Sequence, residues 1–371
     1  MKKRTVKLLG IIVAATMSIS MMVGCGSDKK STASTSSGSG ELSKEEIIKK
    51  AAGESKVSNW GLGNEYEVKA LLAKYNLPTD YLSQDFTMDS FDDDSSTLAS
   101  AMTYNELGLV KNNYDGGYGY GDEVGIIDMN DEGVAMLEDN IFCTKKFARE
   151  NPNTVKAFLY ASLKGWEYGV EHPEEAAQIC YEAGSSVSKE HQKYMADEVA
   201  KLVKKDMSGN DVLEDIGKIN DTAMQQTLDI AKKYVTLDDS SAQEKFKSLT
   251  LDDIRDSSYY NAAKASDGKF SVEKNEVSIQ LKWLPDAQFM GYFVANAKGY
   301  YKDAGLKVNI ISGGGDISET TAVNNGTVDF GVTWPTNMAV ADASGMDLVE
   351  IAQIFQRSGL TLVYKHKNFQ G

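Results

Sequence analysis

The sequence predicts an α/β protein of two lobes, each built on a mostly parallel sheet. Three observations carry this. Strand–loop–helix units occur at 57–75 and again at 277–311, each passing from a short apolar run through a turn into a 3.6-residue period. Strand and helix signals alternate, which favours parallel strands linked by crossing helices. The 371 residues are 42% hydrophobic and 25% charged, enough for a large core and two domains.

The elements follow in order. Lys2, Lys3, Arg4 and Lys7 precede the apolar run LLGIIVAATMSISMMV, and Met22-Val23-Gly24-Cys25 then matches a bacterial lipobox. That run is short for a span, which needs about 20 apolar residues. Residues 1–24 therefore read as a lipoprotein signal peptide and Cys25 as the lipidated first residue of a chain anchored on the extracytoplasmic face of the cell membrane. Residues 25–55 hold that cysteine, a Ser/Thr/Gly-rich tether at 27–40 and a short helix, for which Ser43-Lys-Glu-Glu46 supplies a capping box and Gly53 a stop. Val57–Trp60 reads as a strand, followed by a helix over Glu65–Tyr75 with Val68, Leu71, Leu72 and Tyr75 on one face.

Glu123–Asp128 and Gly133–Leu137 are strand candidates, the second crossing to the other lobe. Asn151-Pro152 opens a helix bearing Val155, Phe158, Leu159, Leu163 and Trp166. Helical patterns continue at 173–182, 188–204 and 221–234. Residues 265–274 are polar and read as a linker. Strands are expected at 277–283, 306–311, 328–333, 348–355 and 360–364, with helices between the first three.

Composition excludes several function classes. A net charge of −15 with no basic footprint in the body excludes a nucleic-acid binder. Cys143 and Cys180 form neither a disulfide framework nor a metal spacing and read as two buried thiols. His172, His191 and His366 are scattered, Gly61-x-Gly63-x-x-Tyr66 lacks the third glycine of a dinucleotide fingerprint, and GxSxG, HExxH and P-loop patterns are missing. Asp92-Asp93-Asp94 lacks a calcium-loop pattern and reads as a solvated turn. No catalytic residue, metal or cofactor is expected, and the protein should be a monomer.

Two blocks carry a resemblance. The first contains NWGLGNEYEVKALL at 59–72, ASAMTYNEL at 99–107 and AFLYASLKGWEYGVEHPEEA at 157–176; the second contains LKWLPDAQFMGYFVANAKGYY at 281–301, GGGDI at 313–317, NNGTVDFGVTW at 324–334 and EIAQIFQRSG at 350–359. Together they resemble the ABC-transporter solute-binding proteins for thiamine pyrimidines, riboflavin-like compounds and sulfonates, most closely the pyrimidine and riboflavin binders. In that family the unit seen here at 275–371 comes first. The resemblance therefore implies a type II periplasmic-binding-protein-like fold in circularly permuted order. Lobe II would be 56–130 and lobe I 131–371, the latter made of 131–264, the linker 265–274 and 275–371. Lys56 should lie near Gly371, with the helix near 43–53 on the surface beside them.

The resemblance implies a ligand in a cleft between the lobes, with an ABC permease and ATPase as partners. A thiamine-precursor pyrimidine heads the candidates. Riboflavin and sulfonates such as taurine remain alternatives, as does a sensor or adhesin on the same fold. Gly313-Gly314-Gly315, before a helix near Asp316, and Gly61-Leu-Gly63 could bring backbone N–H groups to a ligand, or could be tight turns alone. Trp60, Trp283, Phe289 and Trp334 stand at strand ends, where they could sandwich a ring or pack in the core. Gln288, Asn64, Glu65, Asn105, Asn337, and Tyr104 and Glu106 of the YNE motif could read a ring edge; singly, each also fits a cap or surface residue. Arg357 suits either an anionic group or a structural ion pair. Thiamine-pyrimidine synthases share the fold, but Phe289 stands where their donor histidine is expected, so the resemblance favours a binder over an enzyme.

Overall fold

The computed structural model describes residues 42–370. Its ten strands are β1 (Val57–Asn59), β2 (Leu82–Ser83), β3 (Leu98–Met102), β4 (Val124–Asp128), β5 (Asn140–Thr144), β6 (Glu276–Gln280), β7 (Lys307–Ile311), β8 (Phe330–Gly331), β9 (Leu348–Gln353) and β10 (Leu360–Lys365). They form two five-stranded sheets, ordered β2-β1-β3-β10-β4 and β7-β6-β8-β5-β9. In the first, β1 runs parallel to β2 and β3 while β10 is antiparallel to β3 and β4. The second repeats the arrangement, with β6 parallel to β7 and β8 and β5 antiparallel to β8 and β9. Each sheet thus receives one reversed strand from the far half of the chain.

The chain crosses between the sheets twice, at 129–139 and 354–359, and the crossings are bonded side by side. Asn130 donates to the carbonyl of Ser358 at 2.9 Å, and Glu138 accepts from the Gly359 N–H at 3.0 Å. Gln353 donates to the carbonyls of Glu138 and Asp139 at 2.9 and 3.1 Å. Glu67, nearby, accepts from the Met136 N–H at 2.7 Å, and burial pushes its carboxyl up to about 8.

Several expectations hold. The capping box at Ser43 forms, and the helix Pro152–Glu171 begins with proline at its first position. Helices Pro173–Glu182 and Asp221–Tyr234 match, and Ser188 caps Lys189–Lys204. Cys143 and Cys180 are buried and free. Among the described residues no helix is long and apolar enough to cross a membrane.

Others need correction. Residues 133–137 form no strand, although 134–137 are buried, because the Met136 and Leu137 N–H groups go to the side chains of Glu67 and Thr227; the first strand on the far side of the crossing is β5. Residues 131–371 do not all belong to one lobe, since β10 sits in the sheet of 56–130. Residues 265–274 carry no helix or strand, as expected of a linker, and Glu273 within them accepts from the N–H groups of Asn153 and Thr154 at 3.2 and 2.8 Å, capping the long helix. The helix after the glycine run starts at Glu319 with Ser318 as cap, three residues beyond Asp316. Strand β3 was not foreseen; its LASAM residues are buried on both faces, which removes the alternation that marks a strand.

The two ends of the described residues meet. The Leu42 N–H donates to the Phe369 carbonyl at 3.1 Å, and Lys50 Nζ to the Asn368 carbonyl at 2.8 Å. Lys56 reaches the same place through Asp94, whose carbonyl accepts its Nζ at 3.1 Å and whose carboxylate accepts from Asn368 at 2.9 Å. Gly371 itself lies outside the described residues. The helix Lys44–Gly53 is not merely superficial, for Ile47, Ile48 and Ala51 are fully buried.

Candidate functional site

The site follows from parallel strands ending on one edge. Trp60 comes directly after β1, Phe86 after β2, Tyr104, Asn105 and Glu106 after β3, Lys282 and Trp283 after β6, and Trp334 after β8. All line one cavity with Leu62, Met102 and Gln288. Carboxyl ends of parallel strands are where open α/β sheets present a crevice. The rings come from both sheets and meet at the middle, with the Phe86 and Trp283 centroids 5.0 Å apart and tilted at 59°.

The cleft is narrow, with room for only about 60 Å³. Ligand pockets generally enclose about 300–1,000 Å³, so a ring-sized ligand requires the sheets to part. A Cβ placed on Gly63 would lie 2.7 Å from Asn337 Oδ1 and 3.2 Å from the Trp334 ring, which shows how closely the two sides approach. Two larger hollows, of about 890 and 920 Å³, are open grooves among charged helix surfaces and gather no such rings.

Polar groups fix the walls. Asp139 accepts from Gln288 Nε2 and from Trp334 Nε1, each at 2.9 Å. Burial pushes its carboxyl up to about 6, although both bonds and the nearby Lys282 favour the charged form. Asp286 accepts from the Gln288 N–H at 2.8 Å and is raised by burial to about 7. Glu106 accepts from the Met102 N–H and from Asn105 Nδ2, each at 2.9 Å, and burial raises it too. Lys282 Nζ lies 3.2 Å from Glu319 and 4.5 Å from the Trp334 ring centroid.

The structure brings Trp60, Tyr104, Glu106, Trp283, Gln288 and Trp334 together in the cleft. Asn337 faces Gly63 across it. The remaining expected residues do other work. Phe289 is fully buried in the core. Asn64 is buried and accepts from Asn59 at 3.2 Å, while Glu65 accepts from the Gly63 N–H at 2.8 Å, shaping the turn. Asp316 is exposed. Gly314 takes φ of +151°, and its neighbour Gly313 is demanded by packing, since a Cβ there would lie 2.2 Å from the Leu281 carbonyl oxygen. Arg357 lies on the second crossing with its guanidinium 3.6 Å from Asp128, an ion pair away from the cleft. Cys25 lies outside the described residues.

Sequence reasoning missed Phe86, Lys282 and Asp139. Phe86 had a signal, as a large aromatic in the polar stretch SQDFTMDS. Asp139 had none, because its partners stand 149 and 195 positions away.

The family described as NMT1/THI5 like matches residues 54–176 and 286–369, more than half of the chain. The chain belongs to the NMT1/THI5-like family. The matched segments contain every ring of the cleft except Trp283, which falls just before the second. Yeast relatives are more distant. The 4-amino-5-hydroxymethyl-2-methylpyrimidine phosphate synthases THI11 and THI5 of Saccharomyces cerevisiae are each 24% identical over 93 residues, 25% of this chain and 27% of theirs. This NMT1/THI5-like chain thus spans about a quarter of the length of the relatives it matches.

Proposed function

We propose that the protein is an extracytoplasmic solute-binding lipoprotein that captures a small heteroaromatic compound between its two sheets and delivers it to an ABC permease. The observation that carries this is the convergence of five aromatic rings from both sheets on one narrow cleft. Flat rings on opposing walls stack a flat ligand, and parting and closing of the walls suits capture and release. A thiamine-precursor pyrimidine is the leading ligand, in keeping with the chemistry named in the yeast relatives. Binding without turnover is preferred to synthase activity: Phe289 stands where the resemblance expects a donor histidine, and His191, the histidine nearest the cleft, has both ring nitrogens engaged. Purified protein titrated with pyrimidines, flavins and taurine should gain roughly 2.7 kcal/mol of stability at a hundred times the dissociation constant of its ligand. Saturable binding of taurine alone would move the reading to sulfonates, and turnover of a bound pyrimidine would make the protein an enzyme.

Anchoring is proposed at Cys25. Labelled palmitate should enter the wild-type protein and be absent from Cys25→Ala; an unlabelled wild type released to the medium would refute the anchor.

We also propose that the fold is type II in circularly permuted order. The two sheets share one strand order, so either half can come first, and Leu42 and Phe369, near the two bounds of the described residues, are already hydrogen-bonded. A chain starting at 275, with the region of Asn368 joined to Lys56 and ending at 264, should fold and bind the same ligand. Failure of that chain to reach a soluble folded state, with the original order folding normally, would count against the permutation.

A further inference from the structure

We infer that the cleft selects a cationic heteroaromatic ligand over a neutral or phosphorylated one. The inference rests on the binding function proposed above and adds the sign of the ligand's charge.

The first support is the charge inventory of the cavity. Its charged lining residues are Glu106 and Lys282. Lys282 is already committed: its ammonium lies 3.2 Å from Glu319, with both side chains nearly buried, and rests over Trp334. Asp139 and Asp286 stand behind the wall, buried and close to Gln288. An entering phosphate or sulfonate would therefore meet the carboxyl of Glu106, and the lysine could serve it only by releasing Glu319. Arg357, the guanidinium that might have served an anion, is paired with Asp128 on the crossing. An entering cation meets the opposite situation. Trp60, Phe86, Tyr104 and Trp283 offer ring faces and edges, and a cation over such a face is attracted by the ring quadrupole. The ammonium of Lys282 over Trp334 shows the same contact made within the wall.

The second support is the way Glu106 is held. The donor logic of its partners fixes one direction. A carboxylate can only accept, so Asn105 turns Nδ2 towards Glu106 Oε1, at 2.9 Å, and its Oδ1 towards His191. His191 must then donate from Nε2, at 2.8 Å, which leaves Nδ1 to accept from the Tyr114 hydroxyl at 2.6 Å. Burial keeps that imidazole neutral, pushing it down to about 4. Tyr114, Asn105 and Glu106 belong to the side of the first sheet, while His191 is on the helix Lys189–Lys204. A neighbouring residue of that helix, Gln192, accepts from the Ala287 N–H at 2.9 Å in the loop after β6. One helix thus touches both walls and orients the carboxylate. Each Glu106 oxygen has one protein donor and keeps a lone pair for a ligand N–H.

The test uses one ring with three substituents. The purified protein is titrated, by tryptophan fluorescence near pH 7, with 4-amino-2-methylpyrimidine bearing a 5-aminomethyl group (an ammonium), a 5-hydroxymethyl group (neutral) or the phosphate ester of the latter. The ammonium compound should bind about tenfold or more tightly than the neutral one, the scale of a charge-assisted hydrogen bond, and the phosphate ester weakest. Glu106→Gln should remove that preference by weakening the ammonium compound more than the neutral one. His191→Phe should lower the preference part-way, because Asn105 then loses the bond that holds its Nδ2 towards Glu106. Equal or tighter binding of the phosphate ester overturns the inference, as does equal weakening of charged and neutral compounds by Glu106→Gln. Binding of the neutral compound without any charge preference also overturns it and leaves the binding function standing. If none of the three binds while a flavin or taurine does, the pyrimidine reading and the charge inference both fail.

Discussion

Phe158→Ala should lower the unfolding free energy by about 3–5 kcal/mol, the range for truncating a fully buried aromatic ring. Phe158 is fully buried in the helix Pro152–Glu171. Its ring stacks on Phe330 of β8 with centroids 3.9 Å apart and planes within 8°, and on Tyr301 at 5.6 Å and 10°. Tyr301 in turn is tied to Ser162 by a 2.9 Å hydroxyl contact. The stack joins the long helix to β8 and to the helix Tyr300–Asp303, so it welds residues 152–171 to residues 300–330. Truncation would leave a ring-sized void that Phe330 and Tyr301 cannot both collapse into. Urea denaturation followed by circular dichroism measures the effect. A loss below 1 kcal/mol with an unchanged slope would mean that this stack is not a main tie between the two parts of the chain.

Trp283→Ala should weaken ligand binding by about 1–3 kcal/mol, the scale of a buried aromatic contact at the centre of a binding site. Trp283 follows β6 and meets Phe86 across the cleft, so truncation removes a stacking surface and the contact that closes the walls. It is half-buried, so global stability should change much less than in Phe158→Ala. Calorimetric titration of both proteins with the same pyrimidine separates the two effects. Unchanged affinity would place the ligand elsewhere than between Phe86 and Trp283.

The contrast between these residues shows what could be read in advance. Phe158 was legible because Val155, Phe158, Leu159, Leu163 and Trp166 repeat at helical spacing, and that period exists only if one face is buried. Trp60, Trp283 and Trp334 were legible as strand-end aromatics, because a parallel strand delivers whatever follows it to the same edge of its sheet. Phe289 carried the same signal and lies in the core. It is one residue beyond Gln288, and the short turn Ala287–Phe289 sends neighbouring side chains in different directions. Arg357 was ambiguous as a lone arginine, and its pairing with Asp128 depends on the two crossings lying side by side. β10 was expected as a strand, but the choice of sheet belonged to the crossing at 354–359 and not to the LTLVYK segment.

The sequence by itself determined the principal helices, some with their caps, the alternation that makes an α/β protein, and several of the aromatic residues that follow its parallel strands. These are local matters, set by periodicity, capping chemistry and turn residues within a few positions. Only the tertiary structure decided which sheet received β5 and β10, that Lys56 and Asn368 come together at Asp94, and that Asp139 braces Gln288 and Trp334. It also decided that His191 reaches Glu106 through Asn105. Each of these joins groups scores of residues apart, and such pairings are selected by the packing of whole sheets and helices rather than by any local preference of the residues that make them.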